Sequence, residues 1–499
     1  MGAGGAPDGR APCVIGVGQV TARHADPRDT EPMELWAQAC ALALNDAGAS
    51  RRARLDSLSV VRCDSWSYDS PAQRLAEHLG VTPLQLVDAG IGGTQPQAMV
   101  HTACEAIARG RMDLALVVSG EALHTVDVVA RDGRTPPWRY PAPAPPPVHL
   151  DDFFHKSEIR HGMLPIMRSF ALRDMARRAH LGRAVGDYAA EPAPTYAAMS
   201  RVAAANPFAW HRSAKSPEEI LRVGTTNRRP VHPYPKFVMA SPKVNQAAAL
   251  LLASHARAQE LGVPSDHRVY VRGWSSASDY PYVAQNEDLW RSRAMERAAR
   301  AALEASGLGV DDLDYFDLYS CFPSSVRFAV DALGLALSDP RGVTVTGGMP
   351  YAGAPGSGYV THAIAAMATK LRERPGSAGV VSGLSAQMAT HAFSVFSTLP
   401  GVGDPGAFGA THVGPDPGEQ VTIVAEGRGP AVLEAYAVAC SPDGTDELAV
   451  AVCRLPDNSR CYAQTRGPAL LEWLSQSEGV GHGIALEAGE DGRNQFMAR

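Results

Sequence analysis

Short apolar runs alternate with helically spaced apolar positions along this chain, and the alternation occurs twice. Cys13-Val14-Ile15-Gly16-Val17-Gly18 reads as a buried strand ending in glycine. Met33 to Ala47 carries Leu35, Ala39, Leu42 and Ala43 at helical spacing and is stopped by Gly48; Leu55 to Val61 reads as the next strand. Met295 to Ser306, stopped by Gly307, repeats that helix, and Leu313 to Leu318 repeats the strand. Further on, Gly92-Gly93, a helix containing Val100-His101-Thr102-Ala103, and Val117-Val118-Ser119-Gly120 match Gly347-Gly348, Val360-Thr361-His362-Ala363 and Val380-Val381-Ser382-Gly383. Ala-rich helices share composition by chance, but chance does not preserve the order of four elements. The pattern therefore predicts two similar α/β halves packed together.

Between the halves the character changes. Thr135-Pro136-Pro137 through Pro145-Pro146-Pro147 excludes a central strand or a helix interior. An aromatic and basic stretch follows, with Asn206-Pro207-Phe208-Ala209-Trp210 and Pro233-Tyr234-Pro235-Lys236-Phe237, and reads as an insertion walling a site. Asn245 to Ser254 is expected to re-enter the core as an apolar helix. After the Gly/Pro-rich boundary from Gly401 to Gly418, short apolar segments alternate with turns such as Pro442-Asp443-Gly444, which predicts a small barrel or sandwich. The expected division is 1–122 for the first half with 241–290 returning to its core, 123–240 for the inserted loop domain, 291–405 for the second half and 420–499 for the added domain.

Composition narrows the function. At 499 residues the chain is too long for one growing core. A net charge of −6 leaves no electrostatic footprint for nucleic acid or anionic membrane, and no run has the length of a membrane span. Met1 to Arg10 lacks an apolar signal segment, and the eight cysteines show no CxxC or metal-ligand spacing. These features fit reduced thiols in a cytoplasmic protein. The Gly-rich stretches lack the partners of a phosphate loop or a dinucleotide fold, which argues against NTP and NAD.

These pieces resemble the thiolase superfamily, in particular its actinobacterial thiolase-like proteins of the lipid-transfer-protein-related branch, often labelled acetyl-CoA acetyltransferases. The segments that carry the resemblance are Asn206 to Trp210, Pro233 to Lys236, Asp317-Leu318-Tyr319-Ser320-Cys321-Phe322, Gly347 to Gly353, and Thr390-His391 with Ser397-Thr398. The resemblance implies a duplicated five-layered α/β fold with an inserted loop domain and a small C-terminal barrel of OB type. It also implies a coenzyme A thioester or lipid thioester as substrate or ligand, with no covalently bound cofactor or metal. A protein partner in acyl processing is compatible with it, and both monomer and homodimer stay open, with a lean to monomer.

The family's chemistry does not carry over with the fold. Its nucleophilic cysteine maps near Gly93, and no cysteine lies between 63 and 104. Its second cysteine maps near the Val380–Ala386 turn, and none lies between 321 and 440. The Gly-His-Pro segment reads Gly353-Ala354-Pro355, and the Asn/His that opens another motif is Tyr319. Covalent Claisen chemistry is not expected on these residues. Some thiolase-like proteins with a tyrosine at this place resemble retro-aldolases, so altered carbon–carbon chemistry on acyl-CoA is the first functional reading. A non-catalytic acyl-CoA or lipid-thioester carrier is the alternative.

Several residues remain as candidates. Tyr319 is a general acid or base if a neighbour lowers its pKa, and otherwise a buried ring. Cys321 is a nucleophile in principle and a core thiol otherwise. His391 either serves the pocket or is a hydrogen-bonded structural residue. Gly92, Gly93, Gly347, Gly348 and Gly353 let a backbone approach a thioester or simply make tight turns, and His362 binds substrate or fills a core. Arg160, Lys215, Arg222, Arg228, Arg229 and Lys236 either bind the phosphates of coenzyme A or form a solvated face.

Overall fold

A computed structural model describes residues 8–49, 54–144, 150–409, 412–489 and 491–498. The beginning of the N-terminal Gly/Ala stretch and Pro145-Pro146-Pro147 lie outside the described residues.

The first half runs β1 (Pro12–Thr21), α1 (Pro32–Asp46), β2 (Ser57–Val61), α2 (Pro71–Leu79), β3 (Gln85–Ala89), α3 (Gln95–Ala108) and β4 (Leu114–Ala122). The insertion follows with helices α4 (Leu123–Arg131), α5 (Lys156–Arg160), α6 (Met167–His180), α7 (Val185–Ala190), α8 (Ala193–Ala205) and α9 (Pro217–Leu221), then the two-residue strand β5 (Val231–His232). β6 (Asn245–Ser254) and α10 (His255–Glu260) lead to the second half. That half comprises β7 (Val269–Ser278), which the expected division places with the first half, α11 (Arg293–Ser306), β8 (Tyr315–Asp317), α12 (Pro323–Leu333), α13 (Tyr359–Arg372), β9 (Ala378–Ser385) and β10 (Thr390–Ser397).

The internal repeat governs the sheet. Strand order is β3-β2-β4-β6-β1-β7-β10-β9-β8. About the β1–β7 junction, β6 mirrors β10, β4 mirrors β9, and β2 mirrors β8. The packing repeats as well. A Cβ on Gly16 of β1 would lie 2.1 Å from Ala43 O of α1, and one on Gly273 of β7 would lie 2.2 Å from Ala302 O of α11. In both halves glycine lets the first helix rest directly on the first strand's backbone. Helices α3 and α13 touch each other and strands of both halves, and form the middle of five layers.

Asn245–Ser254 is a strand, not the expected helix. It lies antiparallel between β1 and β4 with every residue buried. A strand covered on both faces reads as a continuous apolar run, so periodicity cannot distinguish it from a buried helix. Here tertiary pairing overrides the helix preference of Ala and Leu.

The C-terminal region is a closed barrel of β11 (Gly429–Cys440), β12 (Asp446–Arg454), β13 (Arg460–Thr465), β14 (Gly483–Ala488) and β15 (Asn494–Ala498). The ring order is β11-β12-β13-β15-β14, closing on β11, with helix α14 (Pro468–Gln476) between the third and fourth strands. This is the expected OB-type architecture. Leu433, Tyr436, Cys453, Cys461, Leu474 and Phe496 fill its core. The barrel docks on the insertion, where β11 pairs with β5. Edge strand β3 keeps Gln85, Leu86 and Asp88 exposed.

Candidate functional site

Four turns converge at the junction of the halves. Gly92 and Gly93 precede α3, and Gly92 has φ +134°. Its N–H donates to Ser357 Oγ at 2.9 Å. A Cβ on Gly92 would meet Ser385 Oγ at 2.4 Å. One on Gly93 would meet Leu384 O at 2.3 Å and Tyr319 Oη at 2.4 Å. The place where a side chain of residue 93 would begin is therefore filled from the opposite half, by the phenol of Tyr319 and the backbone of β9.

Tyr319 follows β8 and is held at both ends of its residue. Its N–H donates to Ser382 Oγ at 2.9 Å, and its ring meets Tyr359 edge-on with centroids 5.7 Å apart. Two residues earlier, the buried Asp317 carboxylate accepts from Tyr359 Oη and Thr344 Oγ1 at 2.8 Å each and from the N–H groups of Val345 and Thr346 at 3.0 Å each. That hub ties β8 to the Gly347–Gly348 turn. Among the described residues no group hydrogen-bonds Tyr319 Oη. Burial, and next the proximity of Cys321, hold the phenol well above its usual pKa, so it is a neutral donor and not a base.

The other candidates are placed as follows. Burial pushes the Cys321 thiol up to about 12, only partly offset by its hydrogen bond to Ser325, and such a thiol is inert. His391 on β10 has Nε2 at 3.0 Å from both Ser292 Oγ and Met388 O, while Nδ1 has no partner among the described residues. Burial pushes this imidazole down to about 4. His362 on α13 sets Nδ1 3.0 Å from Gln19 Oε1 and is pushed down to about 3 by burial. It lines a small cavity with Gln19, Gln246 and Tyr359. A Cβ on Gly347 would meet Ala203 of α8 at 2.4 Å, one on Gly348 would meet Met199 Cε at 2.1 Å, and one on Gly353 would meet Gln246 Oε1 at 2.2 Å. The faces of these three glycines are thus taken by protein groups.

The six basic residues divide. Arg229 pairs with Asp446 at 3.4 Å and Arg160 reaches Gly492 O at 3.4 Å. Arg222 and Arg228 are exposed. Lys215 lies 4.1 Å above the Phe237 ring, Lys236 is exposed, and both depress the pKa of His211, after burial, which is the larger cause. His211 Nε2 is 3.0 Å from Ser241 Oγ. Ser241 O accepts from Ala354 N–H at 2.9 Å, and Ala240 N–H donates to Cys321 O at 2.9 Å. A basic rim of His211, Lys215 and Lys236 therefore stands beside the Gly353-Ala354-Pro355 turn and the Tyr319–Phe322 segment. Inward, Phe322 packs on Phe170 of the insertion with centroids 4.6 Å apart.

Sequence reasoning missed the clamp on the β9–β10 turn. Gln387 Nε2 donates to Phe153 O at 2.8 Å and to Glu158 Oε2 at 2.9 Å, and its Oε1 accepts from Ser169 Oγ. Buried Arg173 donates to Met388 O at 3.0 Å. A polar run such as Ser385-Ala386-Gln387 reads as an ordinary turn, and its partners lie more than two hundred residues away.

The duplicated halves, the insertion and the site at their junction define a thiolase-fold protein. The SCP2-thiolase-like protein type 1 of Mycobacterium smegmatis, described as monomeric, is 32% identical, with 99% of this chain and all of that chain covered at a TM-score of 0.84. The chain belongs to the SCP2-thiolase-like proteins. The sterol carrier protein 2 of Rattus norvegicus is 27% identical over 146 residues, which are 29% of this chain and only 26% of that protein's length. An Ltp2-ChsH2(DUF35) aldolase, 16% identical, has a TM-score of 0.58 over 77% of this chain and 97% of its own, and shares the fold alone. No family model matches the chain.

Proposed function

We propose that this protein holds a coenzyme A or lipid thioester in a thiolase fold without forming an acyl-enzyme. The observation that carries the reading is Tyr319 Oη lying 2.4 Å from where a Cβ of residue 93 would sit. A cysteine there has no room, and Cys321, the nearby thiol, is kept protonated by burial. In this rim Lys215 and Lys236 offer the cations that a nucleotide phosphate needs, exposed Lys236 as a point charge, while His211, its pKa lowered by burial and by both lysines, offers a neutral ring nitrogen. Backbone hydrogen bonds tie this rim to the Cys321 segment, and the Tyr319 hydroxyl, without a hydrogen-bond partner among the described residues, suits donation to a thioester carbonyl.

That same free hydroxyl favours a second reading, the cleavage of a β-hydroxyacyl thioester by a retro-aldol step with Tyr319 as proton donor. This reading requires a second group to take the β-hydroxyl proton as the Cα–Cβ bond breaks and Tyr319 protonates the enolate. Of the candidates, Cys321 is held protonated by burial, and burial pushes His362 and His391 down to about 3 and about 4, which leaves them weak bases. Binding without chemistry is therefore the better supported of the two. Incubation with β-keto, β-hydroxy and enoyl thioesters separates them. Saturable binding with no turnover supports the carrier, turnover abolished by Tyr319→Phe supports the retro-aldol reading, and absence of any binding refutes both.

A further inference from the structure

The β9–β10 turn is held in a conformation its residues do not favour. Ala386 and Met388 have φ of +55° and +64°, the left-handed region that side chains with a Cβ avoid. Such a turn persists only where its surroundings over-determine it. The two residues before it, Leu384 and Ser385, are the ones that press on Gly93 and Gly92. Whatever fixes this turn therefore fixes the floor of the candidate site.

The Gln387 side chain, nearly fully buried, is the main hold. Both of its ends are bound to the insertion, to Phe153 O, Glu158 and Ser169. Among the described residues Glu158 has no cationic partner. Its carboxylate accepts from the N–H groups of His155 at 2.8 Å and Val283 at 3.1 Å, from Gln387, and from the hydroxyl of Tyr462. Tyr462 belongs to β13 of the barrel, and its oxygen also accepts from Ala284 N–H at 2.9 Å. The barrel is pinned at this point by two further buried contacts. Arg460 donates to Ala284 O at 3.2 Å and to Glu287 O at 2.9 Å, and Asn494 N–H donates to His161 Nε2 at 2.8 Å.

We propose that the C-terminal barrel positions the candidate site, acting through Tyr462, Glu158 and Gln387 on the turn from Ser385 to Met388. Each member is buried and hydrogen-bonded to the next, so loss of one leaves a desolvated polar group in its neighbour. The barrel is then part of the site's architecture and not an appendage. This role does not depend on what the site binds.

The test is amide hydrogen exchange on the full-length, unliganded protein. In Tyr462→Phe, exchange across 384–391 is expected to rise about tenfold while the barrel strand 446–454 keeps its protection. Gln387→Met should raise it similarly, and the double variant should exceed neither by much, because both cut one relay. Unchanged exchange at 384–391 in Tyr462→Phe, or effects that multiply in the double variant, would overturn the proposal. If Tyr462→Phe disturbs the barrel itself, Glu158→Gln cuts the relay from outside it. Wild-type protection of the turn in that variant would equally overturn the proposal. Because no ligand is used, the outcome is separate from the fate of the thioester reading.

Discussion

Tyr319 and Gly93 come from different halves of the duplicated fold, yet the phenol of one stands where the side chain of the other would start. A Cβ on Gly93 would also press on Leu384 O, which is backbone and cannot swing aside. Gly93→Ala is therefore expected to destabilise the protein by about 2 kcal/mol or more, as overpacking does. Shortening Tyr319 in the same protein should recover only part of this, since Leu384 stays. Urea unfolding of the single and double variants measures the coupling, and simple additivity would count against direct contact.

Tyr319→Phe should leave folding stability within about 1 kcal/mol of the parent, because its hydroxyl has no hydrogen-bond partner among the described residues. Affinity for a thioester should fall by contrast. Calorimetric binding beside a thermal melt separates the two. A large loss of stability with unchanged affinity would assign the hydroxyl to the fold.

His391 bears on acid stability. Its folded pKa of about 4 lies below the ordinary 6.5, so the folded state binds fewer protons between those values. Its contribution is complete above about pH 6.5 and is lost as the pH falls toward 4, roughly 2 kcal/mol of it by pH 5. His391→Gln should flatten the decline in unfolding free energy between pH 7 and pH 5. Glu121 acts in the opposite sense, since burial raises it to about 7 and stability falls as pH rises through the range below that. A profile unchanged by His391→Gln would refute the assignment.

Arg327 and Asp174 form an ion pair of 2.7 Å with side chains 1% and 0% exposed, joining α12 to α6. Tyr234 and Tyr188 also donate to Asp174. Arg327→Met strands a buried carboxylate and should cost about 3–5 kcal/mol. Replacing both partners by apolar residues should cost distinctly less. Denaturant titration of the three variants checks this, and equal losses would contradict it.

The sheet was legible where physics is local or repeated. Gly16 and Gly18 close an apolar run that was readable as a strand, and repetition of the elements after it made two halves readable, whereas the matching strand around Gly273 gave no separate signal. Asn245–Ser254 was not readable, because burial on both faces erases the alternation that marks a strand. The site was legible only as residues, not as geometry. Gly93 and Tyr319 could each be singled out, but their contact spans two halves and leaves no trace in spacing. Gln387, Glu158 and Tyr462 gave no signal at all, since an ordinary glutamine, glutamate and tyrosine become a relay only when three separate regions meet.

The central claim is that thioester binding survives without acyl transfer. Its most direct test is intact-protein mass spectrometry after incubation with acetoacetyl-CoA, run beside calorimetric titration of the same ligand. The account predicts saturable binding that weakens in Lys236→Ala, with no acetyl adduct on the protein and no acetyl-CoA released when free coenzyme A is added. An acetylated cysteine, or acetyl-CoA released on addition of free coenzyme A, would contradict it.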